Sequence, residues 1–101
     1  MSGHFNNLDP DETERLSILL EEMAEASHVI GKILRHGYES CHPKDPKITN
    51  RMRLEDELGH VLFGIELIGS TDMCLGMIKK SCRTKARSII PSLHHQEGYQ
   101  P

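Results

Sequence analysis

Two long stretches in which apolar residues recur every three or four positions, separated by a proline-bearing segment, restrict this chain to packed helices. In the first, over residues 10 to about 36, Leu16, Leu20, Met23, Ser27, Ile30 and Leu34 follow one another at spacings of three and four, and Leu19, Ala26 and Ile33 widen the stripe on one side. That period lines one face of an α-helix and fits no strand. Asp9-Pro10-Asp11-Glu12 is a helix start: proline suits the first turn, and early acids suit the positive end of the helix dipole. Gly37 is a natural stop. The segment YESCHPKDPKITN that follows is a loop, and Thr49 or Asn50 is placed to cap a second helix running to about residue 68. Its main stripe is Leu54, Leu58, Val61, Leu62, Ile65 and Ile68, with Phe63 and Leu67 on another side.

Gly69-Ser70-Thr71-Asp72 breaks the pattern and offers a cap, so a third helix is expected over residues 72 to about 89, carrying Met73, Met77 and Ile78 and ending before Pro91. The chain therefore reads as an all-α helical bundle. Its helical domain spans residues 10–90, between a flexible arm at 1–9 and a flexible tail at 91–101. With 101 residues, 37% of them apolar and 4% aromatic, the core is lean, and oligomerisation completes it. A middle helix that is apolar on more than one face points the same way. Gly59 and Gly64 are candidate points of close helix contact. Phe63 is expected in the core, as are Cys74 and Cys82, read as small apolar groups on the third helix.

A net charge of −3 and a pI near 6.1 argue against a nucleic-acid binder. No stretch is long and apolar enough to span a membrane, and MSGHFNNLDPDE has neither the basic start nor the apolar run of a signal peptide. Three cysteines without paired spacing fit reduced thiols in a cytoplasmic protein.

The chemistry lies in two helical pairs, Glu22-x-x-Glu25 and Glu57-x-x-His60. Residues three apart share a helix face, and Glu22 and Glu57 both fall beside the apolar stripes. Packing the stripes together converges the acids at one edge, where unpaired carboxylates repel and lose solvation. A divalent cation removes both costs. Histidine suits manganese, iron, nickel or zinc better than magnesium, which prefers oxygen, yet three carboxylates can still hold Mg2+ with waters completing its shell. Mg2+ is the expected cofactor, with Mn2+ an alternative because of His60. Acids on helices are most often solvated surface, and Glu55 is read that way; Glu21 and Asp56 are either accessory groups or plain surface charge.

These motifs resemble those of the MazG-like all-α nucleoside triphosphate pyrophosphohydrolases. LLEEMAEA resembles the family's first signature, an E-E-x-x-E run, and LEDELGHVLFGIELI its second, an E-L-G-D-V-L run. Glu22 and Glu25 match the first acidic pair and Glu57 the first acid of the second pair, while His60 stands where the family has aspartate. Lys80, Thr84 and Arg87 keep the spacing of a later Lys, Asn, Arg pattern, with threonine for asparagine. The resemblance covers roughly residues 12 to 88. It implies metal-dependent hydrolysis of a ribo- or deoxyribonucleoside triphosphate to the monophosphate and diphosphate, by a homodimer or homotetramer.

On this reading Glu22, Glu25 and Glu57 are metal ligands and catalytic carboxylates, and His60 is a fourth metal ligand. One of the carboxylates, or Glu21, orients or deprotonates the attacking water. Phosphate would be held by Lys80, Thr84 and Arg87 through the resemblance, and by Lys32 and Arg35 through their position near the end of the first helix. Lys44, Lys47, Arg51 and Arg53 flank the pocket from the loop, and Tyr38 is a candidate for stacking on a base. The alternative function is a catalytically weakened or inactive helical oligomerisation or regulatory protein, favoured by His60. A third reading is a softer-metal protein to which His28, His36 or His42 contribute.

Overall fold

The computed structural model describes residues 5–96, so residues 1–4 of the expected arm and 97–101 of the expected tail lie outside the described part. It contains helix α1 (Pro10–His36), helix α2 (Asn50–Gly69), helix α3 (Leu75–Ile89) and a short 3-10 turn over Ile90–Ser92. The fold is all-α. Among the described residues the sole extended pairing is an isolated bridge between Cys41 and Thr49 that pinches the α1–α2 loop. No helix is long and apolar enough to cross a membrane among the described residues.

The helix ends follow from local chemistry. Asp9 and Glu12 form a reciprocal capping box: the Glu12 amide donates to Asp9 Oδ1 at 2.7 Å and the Asp9 amide to Glu12 Oε1 at 3.0 Å. At the far end Gly37 turns to φ +91°, a value that disfavours any side chain, and its amide donates to the Ile33 carbonyl at 2.7 Å. Thr49 is the cap of α2, its Oγ1 accepting from the Met52 amide at 3.2 Å.

α1 and α2 form an antiparallel hairpin. At one end Arg15, early in α1, pairs with Asp72, just beyond α2, through Nη2–Oδ1 and Nε–Oδ2 distances of 2.7 and 2.9 Å. At the other, Asn50 at the start of α2 is buried and donates from Nδ2 to the Gly37 carbonyl at 3.3 Å. The seam between the helices is lined by Leu19, Glu22, Ala26, Val29 and Ile33 of α1 and by Asn50, Leu54, Glu57, Val61, Gly64 and Ile68 of α2. These positions alternate at threes and fours, the seven-residue rhythm of two helices packed along a common line. Gly64 permits the closest approach: a Cβ there would stand 3.0 Å from Leu19 Cδ1 and 3.3 Å from its Cα. Gly59, the other candidate for close contact, has nothing within 4 Å.

Several burial expectations are corrected. The α1 stripe read as primary lies one residue out of phase with the seam, about 100° around the helix, and is exposed: Leu20 is 70% and Leu34 82% accessible, with Leu16, Met23 and Ile30 less so. The flank of Leu19, Ala26 and Ile33 packs against α2 instead. On α2, Leu58, Leu62 and Phe63 are exposed, so Phe63 is not a core residue. Cys41, Cys74 and Cys82 are all free and exposed. The radius of gyration, 17.4 Å, exceeds the roughly 13 Å of a compact domain of about 100 residues.

α3 begins at Leu75 with Cys74 as its cap, three residues later than expected. The intervening turn is held by Thr71, whose Oγ1 donates to the Leu67 carbonyl at 2.7 Å, and by the draw of Asp72 toward Arg15. Pro91 permits only the 3-10 turn that follows. α3 packs on α2, and none of its Cα atoms comes within 8 Å of one in α1.

Candidate metal centre

Midway along the hairpin the seam changes from apolar to acidic. Glu22 and Glu57 occupy seam positions of their own helices, so packing carries them toward each other. Glu25 and His60 follow three residues later on each helix, and because the helices are antiparallel the two pairs overlap rather than diverge. One candidate ligand atom from each of Glu22, Glu25, Glu57 and His60 lies within 4.8 Å of all the others. Opposite ligands around an ion held at about 2.1 Å stand about 4.2 Å apart, so the four groups need only a small contraction to share one cation.

The electrostatics favour such a cation. The Glu22 and Glu57 side chains retain 24% and 20% of their accessibility, and the Oε2 atom of each is shielded from solvent without a hydrogen-bond partner. His60 Nδ1 approaches them at 3.2 and 3.5 Å, within ion-pair range but without hydrogen-bond alignment. Its Nε2 lies 3.7 Å from Asp56 Oδ1 on the outer side. Loss of solvent raises the Glu57 pKa above its ordinary value, reinforced by the adjacent Glu25 and Glu22 carboxylates and opposed by His60. For His60, desolvation lowers the pKa, but Asp56, Glu22 and Glu57 together outweigh it and the net shift is upward. Two shielded oxygens without hydrogen-bond donors, among three carboxylates and an imidazole, fit a divalent cation. A mixed oxygen and nitrogen set is one that Mn2+, Fe2+, Ni2+ and Zn2+ accept, and three carboxylates still admit Mg2+.

The remaining predicted residues fall in three places. Glu21 and Glu55 are exposed and outside the cluster, and Asp56 touches it only through His60. Lys32 and Arg35 line a separate cleft beside the α1–α2 loop, with Lys44, Arg53, His36 and His42. Lys80, Thr84 and Arg87 are exposed on α3, which the chain's own packing leaves away from α1. The basic group expected from the loop is split: Arg51 is engaged by Glu39 at 2.7 Å and lies over the Tyr38 ring at 4.3 Å. The Arg15–Asp72 tie was not foreseen, because no local motif joins residues 57 apart.

Compared with known proteins, the chain matches no family model, no curated protein and no solved structure.

Proposed function

We propose that this protein is a divalent-metal-dependent nucleoside triphosphate pyrophosphohydrolase of MazG-like type. The observation that carries the reading is the convergence of Glu22, Glu25, Glu57 and His60 on one point from two helices. Glu22, Glu57 and His60 would hold the ion, with Glu25 beside them. When bound, the metal offsets phosphate charge and raises the acidity of an attacking water. Glu25 is the exposed carboxylate of the three, the one that water reaches most freely, and we assign it the proton from that water. The water oxygen bonds to the α-phosphorus, the bond from that phosphorus to the bridging oxygen breaks, and diphosphate leaves. Rigid helices hold these groups in place before substrate arrives.

A second copy of the chain is the proposed partner. The uncovered stripe of Leu16, Leu20, Met23, Ile30 and Leu34 supports a homodimer or a homotetramer in which that surface is buried.

One observation favours the catalytically inactive alternative. His60 stands within 3.7 Å of Glu22, Glu57 and Asp56, so when protonated it neutralises part of the cluster without any metal. The two readings separate in one experiment. Purified protein is incubated with a panel of ribo- and deoxyribonucleoside triphosphates and Mg2+ or Mn2+, and monophosphate and diphosphate are quantified. The hydrolase reading expects both products in equal amounts and a loss of about a hundredfold or more on Glu57→Ala. Absence of turnover with every nucleotide and both metals would sink it and leave the inactive module standing.

A further inference from the structure

The cleft at the loop end of the hairpin is locally basic, as is the surface of α3, but of the two only the cleft is concave. It encloses about 560 Å³ between the last turns of α1, the 37–49 loop and the first turn of α2, a volume in the range of small-molecule sites. Lys32 and Arg35 enter from α1, Lys44 from the loop and Arg53 from α2, against a single carboxylate, Asp45. The whole chain carries a net charge of −3, so four cations around one acid is a local reversal of sign. Arg53 meets Asp45 at a long 3.4 Å. Among the described residues, Lys32, Arg35 and Lys44 have no carboxylate within ion-pair distance, unlike Arg15 and Arg51, which are taken by Asp72 and Glu39.

The backbone adds to this. α2 points its positive end into the cleft through Asn50, and its first turn contains no acid. The early amides are already engaged: Asn50 N donates to Ser40 O at 2.8 Å, Arg51 N to Tyr38 O at 2.9 Å and Met52 N to Thr49 Oγ1. An incoming anion would therefore be held by the long cationic side chains, with the helix dipole as background. A lone carboxylate would leave most of that charge unanswered, whereas several linked phosphoryl groups would answer it. Lysine and arginine both bind phosphoryl oxygen well.

Position links the cleft to the metal centre. Lys32 lies seven residues beyond Glu25 on nearly the same face of α1, a rise of about 10 Å, and Arg53 lies one turn before Glu57 on α2, a rise of about 6 Å. Lys32 and Arg53 thus stand one to two helical turns from the nearest cluster carboxylate on their own helices, with Arg35 and Lys44 farther toward the loop.

We propose that this cleft is a polyphosphate site, built by Lys32, Arg35, Lys44 and Arg53, and that it receives the diphosphate end of the nucleotide. The second half of this inference rests on the hydrolase reading; the binding of a linked phosphoryl anion does not. The site differs from the one the family pattern implied on α3, because its cations come from the loop end of the hairpin.

The test uses inorganic diphosphate as the probe, titrated into the full chain by calorimetry at low salt with a chelator present. The expected result is saturable binding without metal that weakens as salt rises. Replacing Lys32 and Arg35 together by alanine weakens it by about tenfold or more, as does Lys44→Glu, since each charge-assisted hydrogen bond lost is worth about a factor of ten. Lys44 sits in an exposed loop, so its variant keeps the result interpretable if the α1 variant folds poorly. Glu57→Gln leaves metal-free binding intact. Three results would overturn the proposal: no diphosphate binding by the wild type; binding that survives the cleft variants and is lost on Lys80→Ala with Arg87→Ala; or binding that requires Mn2+ and disappears with Glu57→Gln. Diphosphate binding with no hydrolysis of any nucleotide would remove the leaving-group role alone, and so separates the failure of the enzyme reading from the failure of the site.

Discussion

His60 Nδ1 of α2 lies 3.2 Å from Glu22 Oε2 of α1, so the residue that departs from the MazG-like pattern is also an imidazole within ion-pair range of both shielded carboxylates. Replacing it removes the group that opposes the rise of the Glu57 pKa. His60→Asp places a fourth carboxylate among three, which increases repulsion when metal is absent. The variant should melt several degrees below wild type in chelator and recover part of that loss in Mg2+. Wild type should respond more to Mn2+ than to Mg2+. Thermal melts of both proteins in chelator, Mg2+ and Mn2+ check this. Identical melting of the two proteins in all three conditions would show that His60 takes no part in the charge balance of the cluster.

Two glycines of α2 make opposite predictions. Gly64 abuts Leu19, with 3.0 Å left for a Cβ, so Gly64→Val forces the helices apart and should cost about 1–3 kcal/mol. Gly59 faces open space, so Gly59→Ala should add about 0.5–1 kcal/mol through helix propensity alone. Urea unfolding of the two variants gives both signs in one experiment.

The Arg15–Asp72 pair sets a pH dependence. The bidentate hydrogen bond from Arg15 holds the Asp72 pKa below its ordinary value of 3.8. A carboxylate with a lowered folded pKa contributes stability that is fully present above its unfolded pKa and lost as pH falls through the folded one. The difference in unfolding free energy between wild type and Asp72→Asn should therefore be constant near neutrality and shrink below about pH 4. Urea titrations at several pH values measure it, and a difference independent of pH would remove the ion pair as its cause.

The outer α1 stripe predicts self-association. Leu20 and Leu34 are among its most exposed members, so Leu20→Glu with Leu34→Glu should convert a dimer or tetramer to monomer while the hairpin survives. Light scattering with circular dichroism reads both. A wild-type monomer at micromolar concentration would count against the proposed assembly.

The two long helices were legible because their signals are local. Asp9 and Glu12 cap each other across three residues, Gly37 ends the helix it follows, and Thr49 starts the next. The convergence of Glu22, Glu25, Glu57 and His60 was legible for a related reason: a spacing of three on each helix fixes a shared face, and the acids adjoin the packed stripe. What escaped was decided by contacts between distant residues. Periodicity shows that α1 has apolar stripes on adjoining faces, but whether α2 covers Ala26 or Met23 depends on how the helices meet. The start of α3 was missed by three residues because Asp72 serves a partner near the other end of the chain instead of capping a helix. Four basic residues around the loop look alike in sequence, yet Arg51 is consumed by Glu39 and Tyr38 while Lys44 and Arg53 line a cleft.

The placement of Glu22 and Glu57 inside the helix seam has a consequence for how the hairpin finds its alignment. An all-apolar seam with a seven-residue rhythm is nearly indifferent to sliding by one repeat, because each layer resembles the next. Here a slip of one repeat would set Glu57 against aliphatic layers and strand both acids in hydrocarbon. The cluster therefore acts as a key that admits one alignment, and the same acids that converge on one point would keep the folding hairpin from settling one repeat out of place.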